Sequence, residues 1–272
     1  MRKQALVLAL AASTLAAISH ASALSSPSAH ASGPAYTVVQ MNLCLSGEAD
    51  CYGRTAYPSV VEEAMAQVMK QAPSAVTLNE ACSADTAEIA RRTGYRQRFA
   101  AVRYRGAPIP CVDPGGRGVF GLAVLTRDAI SSSHDRAFAI QASGERRRWL
   151  CATTVRNVTV CTAHLSTRAS TGQRVANDAE CRELHDLLAR RERAGATVFG
   201  GDVNRQGTCA PATMWTSRDT AATQAAGIQH IYGSMPLDRS SPGVAAATYT
   251  DHDFLFAAGI LVPAVGRPAG LL

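Results

Sequence analysis

The chain has 272 residues, 27 lysines and arginines against 21 aspartates and glutamates, a formal net charge of +6, and eight cysteines. That length fits one large domain with a buried core. Beyond the N-terminal stretch, no segment is apolar enough for a membrane helix, and the absence of any C-x-x-C pair argues against a zinc site built from the cysteines.

Arg2 and Lys3 precede an apolar stretch from Ala5 to Ile18, and Ala21-Ser22-Ala23 follows as a small-residue cleavage site. This is the pattern of a signal peptide over residues 1–23, followed by a Ser/Pro/Ala leader over 24–34 and a single domain over 35–272. The expected product is exported, extracellular, not inserted in a membrane, and monomeric. Removing Arg2 and Lys3, with no acid before Ala23, lowers the charge by two to +4. That mild basic excess suits a polyanionic or phosphorylated substrate.

Residues 36–42 form an apolar run that predicts a buried strand, and 43–55 a cross-linked loop. Residues 57–71 have helical spacing, with Val60, Ala64, Met65 and Val68 on one side and Pro73 beyond. A strand is expected over 75–80. A helix over 83–93 follows, with Ser83 as its cap and Gly94 as its stop. A further strand is expected over 95–103, a Pro/Gly loop over 107–118 and an apolar strand over 119–126. Residues 149–154 and 158–164 read as a hairpin around Val155-Arg156-Asn157. The longest helix spans 173–194, with Val175, Leu184, Leu187 and Leu188 as core positions and Gly195 as its stop. A short strand over 197–200 comes next, then a partly helical stretch over 210–226 and last strands over 228–232 and 248–256. Strands mixed with a few helices and hairpins indicate an α/β or α+β domain.

Eight cysteines in an exported chain read as disulfides. Proximity pairs Cys44 with Cys51, Cys82 with Cys111, Cys151 with Cys161 and Cys181 with Cys209. The third pair constrains its hairpin. A three-residue loop with Asn157 in the left-handed conformation sets Cys151 opposite Cys161, whereas a two-residue loop would put them on opposite faces.

Five apolar runs end in polar groups suited to phosphate chemistry, and such ends are where a sheet scaffold places a site. They close on Asn42, on Asn79-Glu80, on Thr162-Ala163-His164, on Gly200-Gly201-Asp202-Val203-Asn204, and within Thr250-Asp251-His252-Asp253. An Asp after a glycine turn can polarise water, and an Asn two residues on can donate to a phosphate oxygen. Glu80 suits a hard cation that prefers oxygen ligands. Arg146-Arg147-Arg148 is either a phosphate-facing patch or a solvated strand end. Trp149 and Trp215 are packing residues in this reading, and His185 and His230 surface or core residues.

This series resembles the motif set of the endonuclease/exonuclease/phosphatase superfamily, which includes deoxyribonuclease I, and the order and spacing match from Tyr36 to about Phe256. The resemblance implies a four-layer sandwich of two packed mixed sheets flanked by helices. It implies Glu80 and Asn42 at a divalent metal (Mg²⁺, or Mn²⁺/Ca²⁺), with Asp251 supporting that site or His252. It makes Asp202 the group that activates water, Asn204 the group that holds phosphate, and His164 and His252 the groups around the transition state. Arg117 resembles a phosphate-contacting arginine of the toxin members.

Two departures stand out. Gln229 occupies the place of a usual aspartate, for which Asp238 or Asp253 could substitute. The stretch 115–118 offers no acid to pair with His164. The function expected is a secreted metal-dependent phosphodiesterase, foremost an endonuclease acting on DNA. The alternatives are a phosphatase or a sphingomyelinase/phosphoinositide-type esterase, for which Ile109 and Val112 would form the lipid-facing loop, and a phosphate-binding protein weakened by Gln229.

Overall fold

The computed structural model describes residues 33–49, 51, 53 and 55–261. The signal-peptide segment lies outside them, and of the leader only Gly33 and Pro34 are included. In chain order the first elements are β1 (Ala35–Asn42), α1 (Ser59–Gln71), β2 (Ala75–Cys82), α2 (Ser83–Thr93), β3 (Arg96–Ala101), β4 (Arg103–Tyr104), β5 (Ala107–Pro108), β6 (Phe120–Thr126) and β7 (Ile130–Ala137). There follow β8 (Glu145–Arg146), β9 (Arg148–Thr154), β10 (Val158–Ala163), α3 (Thr171–Ala194), β11 (Ala196–Asp202), β12 (Trp215–Arg218), β13 (Gln229–Gly233), β14 (Gly243–Ala245) and β15 (Phe254–Ile260).

Two mixed six-stranded sheets result, ordered β14-β15-β1-β2-β6-β3 and β12-β13-β11-β10-β9-β7, with a small sheet β5-β4-β8 beside them. Three apolar layers hold them. Val60, Met65 and Val68 of α1 and Ile89 of α2 pack on Met41, Leu78 and Leu125 of the first sheet. Val38, Val124, Val160, Val198 and Ile231 fill the space between the sheets. Leu184, Leu187 and Leu188 of α3 pack on Phe199 and Tyr232 of the second sheet. The order helix, sheet, sheet, helix is the four-layer sandwich. Strands β1, β2, β10 and β11 are covered on both faces, which is why they read as unbroken apolar runs.

The 151–161 hairpin forms as its cysteines require. Cys161 pairs directly with Cys151, and Asn157 has φ +58°. All four cysteine pairs are disulfide-bonded.

Several expectations are corrected. Val175 is 60% exposed. The buried face of α3 is set by Ala176, Glu180, Leu184, Leu187 and Leu188, and Val175 lies about 150° from its centre. The start of α3 is two residues earlier than expected, at a capping box of Ser170 and Gln173. Ser83 does not cap α2; Cys82 is the N-cap residue, and the Ser83 hydroxyl accepts from Val119 N instead. The 210–226 stretch contains no helix. Pairing of β12 with β13 overrides its alanine-rich composition. Strand β7 carries no apolar signature, because it is a polar, largely exposed edge strand without alternation. Finally, Gly200 and Gly201 lie inside β11 and make no turn. Glycine is needed there for close approach: a Cβ at 200 would collide with Thr77 Oγ1 of the facing sheet, and one at 201 with Ala163 O.

Candidate active site

Strands β1, β2, β10 and β11 all end at one edge of the sandwich, since β1–β2 and β10–β11 are parallel pairs. Strand β15 runs antiparallel to β1, so its beginning reaches the same edge. Residues 250–252 therefore act from the loop before β15, not from within a strand. Thr250 Oγ1 ties that loop to Asn42 O at 3.2 Å.

The predicted residues converge on this edge. Asn42 Nδ2 donates to Asp202 Oδ2 at 3.1 Å and to Glu80 Oε1 at 3.4 Å. His164 Nδ1 stands 3.6 Å from Glu80 Oε1, and its Nε2 3.9 Å from Asp202 Oδ2. His252 Nε2 is 3.8 Å from both Asp202 Oδ2 and Asp251 Oδ1. Asn204 N donates to Asp202 Oδ1 at 2.9 Å, and Asn204 Nδ2 reaches His164 Nε2 at 3.0 Å and Leu165 O at 3.0 Å. With Nε2 of His164 facing an amide N–H, the proton of the neutral ring belongs on Nδ1, toward Glu80. Glu80 thus supplies the acid beside His164 that the 115–118 loop lacks.

Local backbone aims two of these groups. Glu80 and Asn204 are non-glycine residues in the left-handed region, with φ +50° and +51°. Glu80 sits where the β2–β6 register shifts between Leu78 and Ala81, a bulge that turns its carboxylate out of the ladder. At Asn204 the Asp202 carboxylate caps the turn. Such strain, at order 1–3 kcal/mol per residue, persists where surroundings hold it.

Beneath the site a buried amide network joins the sheets. Thr77 Oγ1 donates to Gln40 Oε1 at 2.6 Å, Gln40 Nε2 to Asn79 Oδ1 at 2.9 Å, and Asn79 Nδ2 to Thr162 Oγ1 at 3.1 Å. Asp202 N also donates to Asn79 Oδ1, at 2.7 Å. These polar residues inside apolar strands were the unread signal for the support under Asp202.

Electrostatics follow from burial. Burial pushes the Glu80 carboxyl up to about 7, with Asp202 adding to the rise and Arg147 and His252 opposing it. Burial likewise raises Asp202, against His252 and the bonds from Asn204 and Asn42. Burial, then Arg147 and His252, hold His164 well below its usual range, so its ring is neutral near pH 7. Arg147 is therefore the member of the arginine run that acts on the site. Arg148 bonds Asp135 and Ala101 O, and Arg146 is exposed on the outer side. The donor types suit a divalent cation: the Glu80 and Asp202 carboxylates share the Asn42 amide, and Asp251 stands across His252 from Asp202, although among the described residues the three carboxylates do not close within 4.8 Å of one another. Among the described residues no arginine bonds Glu80 or Asp202 to offset their charge. Cys44, Cys51 and Glu80 also cluster, but both thiols are consumed by their disulfide.

No family model and no curated protein matches the sequence. Solved structures do. An endonuclease/exonuclease/phosphatase from Beutenbergia cavernae is 17% identical, with TM-score 0.62 over 86% of this chain and 74% of that one. The catalytic domain of human Nocturnin with bound sulfate is 13% identical, with TM-score 0.60 over 83% and 93%. D. rerio TDP2 complexed with single-strand DNA product is 14% identical, with TM-score 0.58 over 82% and 98%.

The chain has the endonuclease/exonuclease/phosphatase fold. At these identities the fold is what is shared, and this chain's own site is read from its own residues. Two expected members of an endonuclease/exonuclease/phosphatase site fall elsewhere. Arg117 is 4% exposed and fully engaged. It pairs with Asp85 at 2.8 Å, donates to Leu45 O and Val112 O, and stacks on Tyr57. A guanidinium so committed is a structural cross-link, not a phosphate ligand. Gln229 is buried as a strut. It donates to Asp253 O at 2.6 Å and accepts from Gln40 at 3.3 Å; separately, the shielded His252 Nδ1 has no hydrogen-bond partner. Neither proposed substitute takes its place: Asp238 bonds Ser240 on the surface, and Asp253 bonds Thr223 and Ala247 N. The acid behind Gln229 is Asp219, fully buried, which accepts from Gln229 N at 3.0 Å. Nothing in its Arg218-Asp219 context marked it.

Proposed function

We propose that this chain is an exported, divalent-metal-dependent phosphodiesterase, and foremost a nuclease that cuts DNA. The observation that carries the reading is the convergence of Asn42, Glu80, His164, Asp202, Asn204, Asp251 and His252, from five separate segments, at one sandwich edge. All come from one chain, so a monomer suffices. The four disulfides are consistent with export.

Asp202 is the base. Two donors, Asn42 Nδ2 and Asn204 N, hold its carboxylate in one orientation, and burial keeps it more basic than a free Asp. A water beside it loses its proton to Asp202 as its oxygen attacks phosphorus, the opposite P–O bond breaks, and the leaving strand's oxygen takes up a proton from solvent. His252, with the positive field of Arg147, faces the charge that grows on the phosphoryl oxygens, while the neutral His164 ring, directed through Nδ1 to Glu80 and through Nε2 to Asn204, holds those two groups in place. Asn204 orients His164; to hold phosphate it exchanges one of its two present acceptors for a phosphate oxygen. Glu80, with Asn42 and Asp251, would hold Mg²⁺, Mn²⁺ or Ca²⁺, which when bound supplies positive charge to the phosphate and leaving oxygen.

Supercoiled plasmid incubated with Mg²⁺ is expected to be nicked, and chelator or Asp202→Asn is expected to lower the rate by about 10²–10⁴-fold. Turnover of sphingomyelin or a phosphomonoester with the plasmid left intact would overturn the nuclease reading. The unpartnered Nδ1 of His252 favours a second reading, a phosphate-binding protein with weak turnover. Metal and phosphate binding without cleavage of any of these substrates would select it.

A further inference from the structure

A cavity of about 480 Å³ opens beside Glu80, between the 46–49 loop and the small sheet β5-β4-β8. Pro108, Ile109, Pro110 and Phe120 form apolar walls, and Tyr104 stands at the rim, 47% exposed. Tyr104 and Glu145 are direct cross-strand partners, so their side chains lie on one face of the small sheet. Glu145 and Arg147 form an ion pair on the cavity wall, with Arg147 Nε 3.0 Å from the shielded Glu145 Oε1 and Nη2 donating to Oε2 at 3.5 Å, which leaves further lone pairs and N–H groups of the pair open to a ligand.

We infer that this cavity seats one unpaired nucleobase of a nucleic-acid substrate, next to the phosphodiester that is cut. This rests on the nuclease reading above. The ring stacks at Tyr104 and against the proline and isoleucine wall. Glu145 accepts from an exocyclic amine or ring N–H, and Arg147 donates to a base carbonyl or ring nitrogen. An acceptor and a donor side by side on an apolar wall match the edge of a base. An acyl chain uses neither group, and a quaternary ammonium has no N–H to give Glu145 and no acceptor for Arg147. Glu80 belongs to both the cavity wall and the catalytic cluster, so the seated base and the cleaved phosphate are neighbours on one strand. A base held in a duplex cannot enter without leaving its stack, so single strands and frayed ends are the preferred substrates.

The test compares one labelled oligonucleotide as single strand, as full duplex, and as a set of single strands each carrying one abasic position, all with Mg²⁺. The single strand is expected to be cut at least tenfold faster than the duplex, and one abasic position beside the cut is expected to lose on the order of tenfold in kcat/KM. Tyr104→Ala is expected to lose a similar factor on the intact strand and much less on that abasic strand, with Tyr104→Phe restoring it. Cleavage indifferent to abasic position, or equal loss on both strands in Tyr104→Ala, overturns the base site while leaving the nuclease reading intact. Failure to cut any oligonucleotide overturns both. Tyr104-dependent hydrolysis of sphingomyelin vesicles, with no Tyr104 effect on oligonucleotides, assigns the cavity to lipid and also overturns the proposal.

Discussion

At the scale of single residues, the clearest lesson comes from a polar group whose letter matched a role and whose surroundings assign another. Arg117 and Asp85 are both almost fully buried, 5% and 7% exposed at their side chains. Breaking such a pair from one side leaves a charge in the interior, at a cost of about 3–5 kcal/mol. Arg117→Ala is therefore expected to lower stability by that amount in urea unfolding, and Arg117→Ala/Asp85→Ala to recover part of it. A phosphate-contacting role would instead raise KM with stability unchanged. Glu80, by contrast, reads in sequence as a strand-end acid, and it is that, but the bulge and left-handed backbone that aim it were not legible. They arise only because β6 pairs with β2 on both sides of the shift.

Among the elements, the pairing of strand β11 with its surroundings fixes the site's position. Its two glycines look like a turn in the sequence, whereas their absent side chains let Thr77 and Ala163 approach. Gly200→Ala is expected to cost about 1–3 kcal/mol through overpacking, measured as a shift of the urea midpoint at constant slope; an unchanged midpoint would contradict the close-approach explanation. The disulfides give a graded prediction. Cys82–Cys111 and Cys181–Cys209 close the longest loops, with separations 29 and 28, against 10 for Cys151–Cys161 and 7 for Cys44–Cys51. In the chain-entropy account, Cys→Ala pairs at the long loops cost roughly 3–4 kcal/mol, and the 151–161 pair about 1 kcal/mol less. The opposite ranking in thermal unfolding would place the stabilisation in native contacts instead. Helix α3 and the four strands of the two parallel pairs were legible because their apolar patterns are local; that they pair in parallel was not. Strands β7 and β12 were not, since a polar edge strand carries no such pattern.

For the whole molecule, two buried groups set opposing pH dependences. Burial pushes the Asp219 carboxyl from 3.8 up to about 6. The folded state therefore holds this proton longer than the unfolded one, and stability is lost as pH rises through about 4 to 6. Burial holds His230 down at about 4 from 6.5, with a bond from its ring to Tyr232. There the unfolded state takes the proton first, and stability is lost as pH falls from 6.5 to 4. Asp219→Asn removes only the first effect. The variant is expected to be more stable than the parent at pH 7–8, by an amount on the order of 2–3 kcal/mol. The gap should close as pH falls to 4. A gap independent of pH, in paired denaturation curves, would show that Asp219 does not titrate as its burial requires.

The sequence by itself determined the strand ends that carry chemistry, the cysteine pairing of the hairpin, and the mixed α/β or α+β class, because each depends on local pattern: period, turn residues and spacing; the layering came from the motif resemblance. Only the tertiary structure decided which polar groups meet. Asn79 under Asp202, Glu80 beside His164, Arg117 locked to Asp85 and Arg147 turned to the site are contacts between segments far apart in the chain. Their roles depend on burial, which desolvates some charges and leaves others in water, and burial is a property of the packed sheets and not of any one stretch.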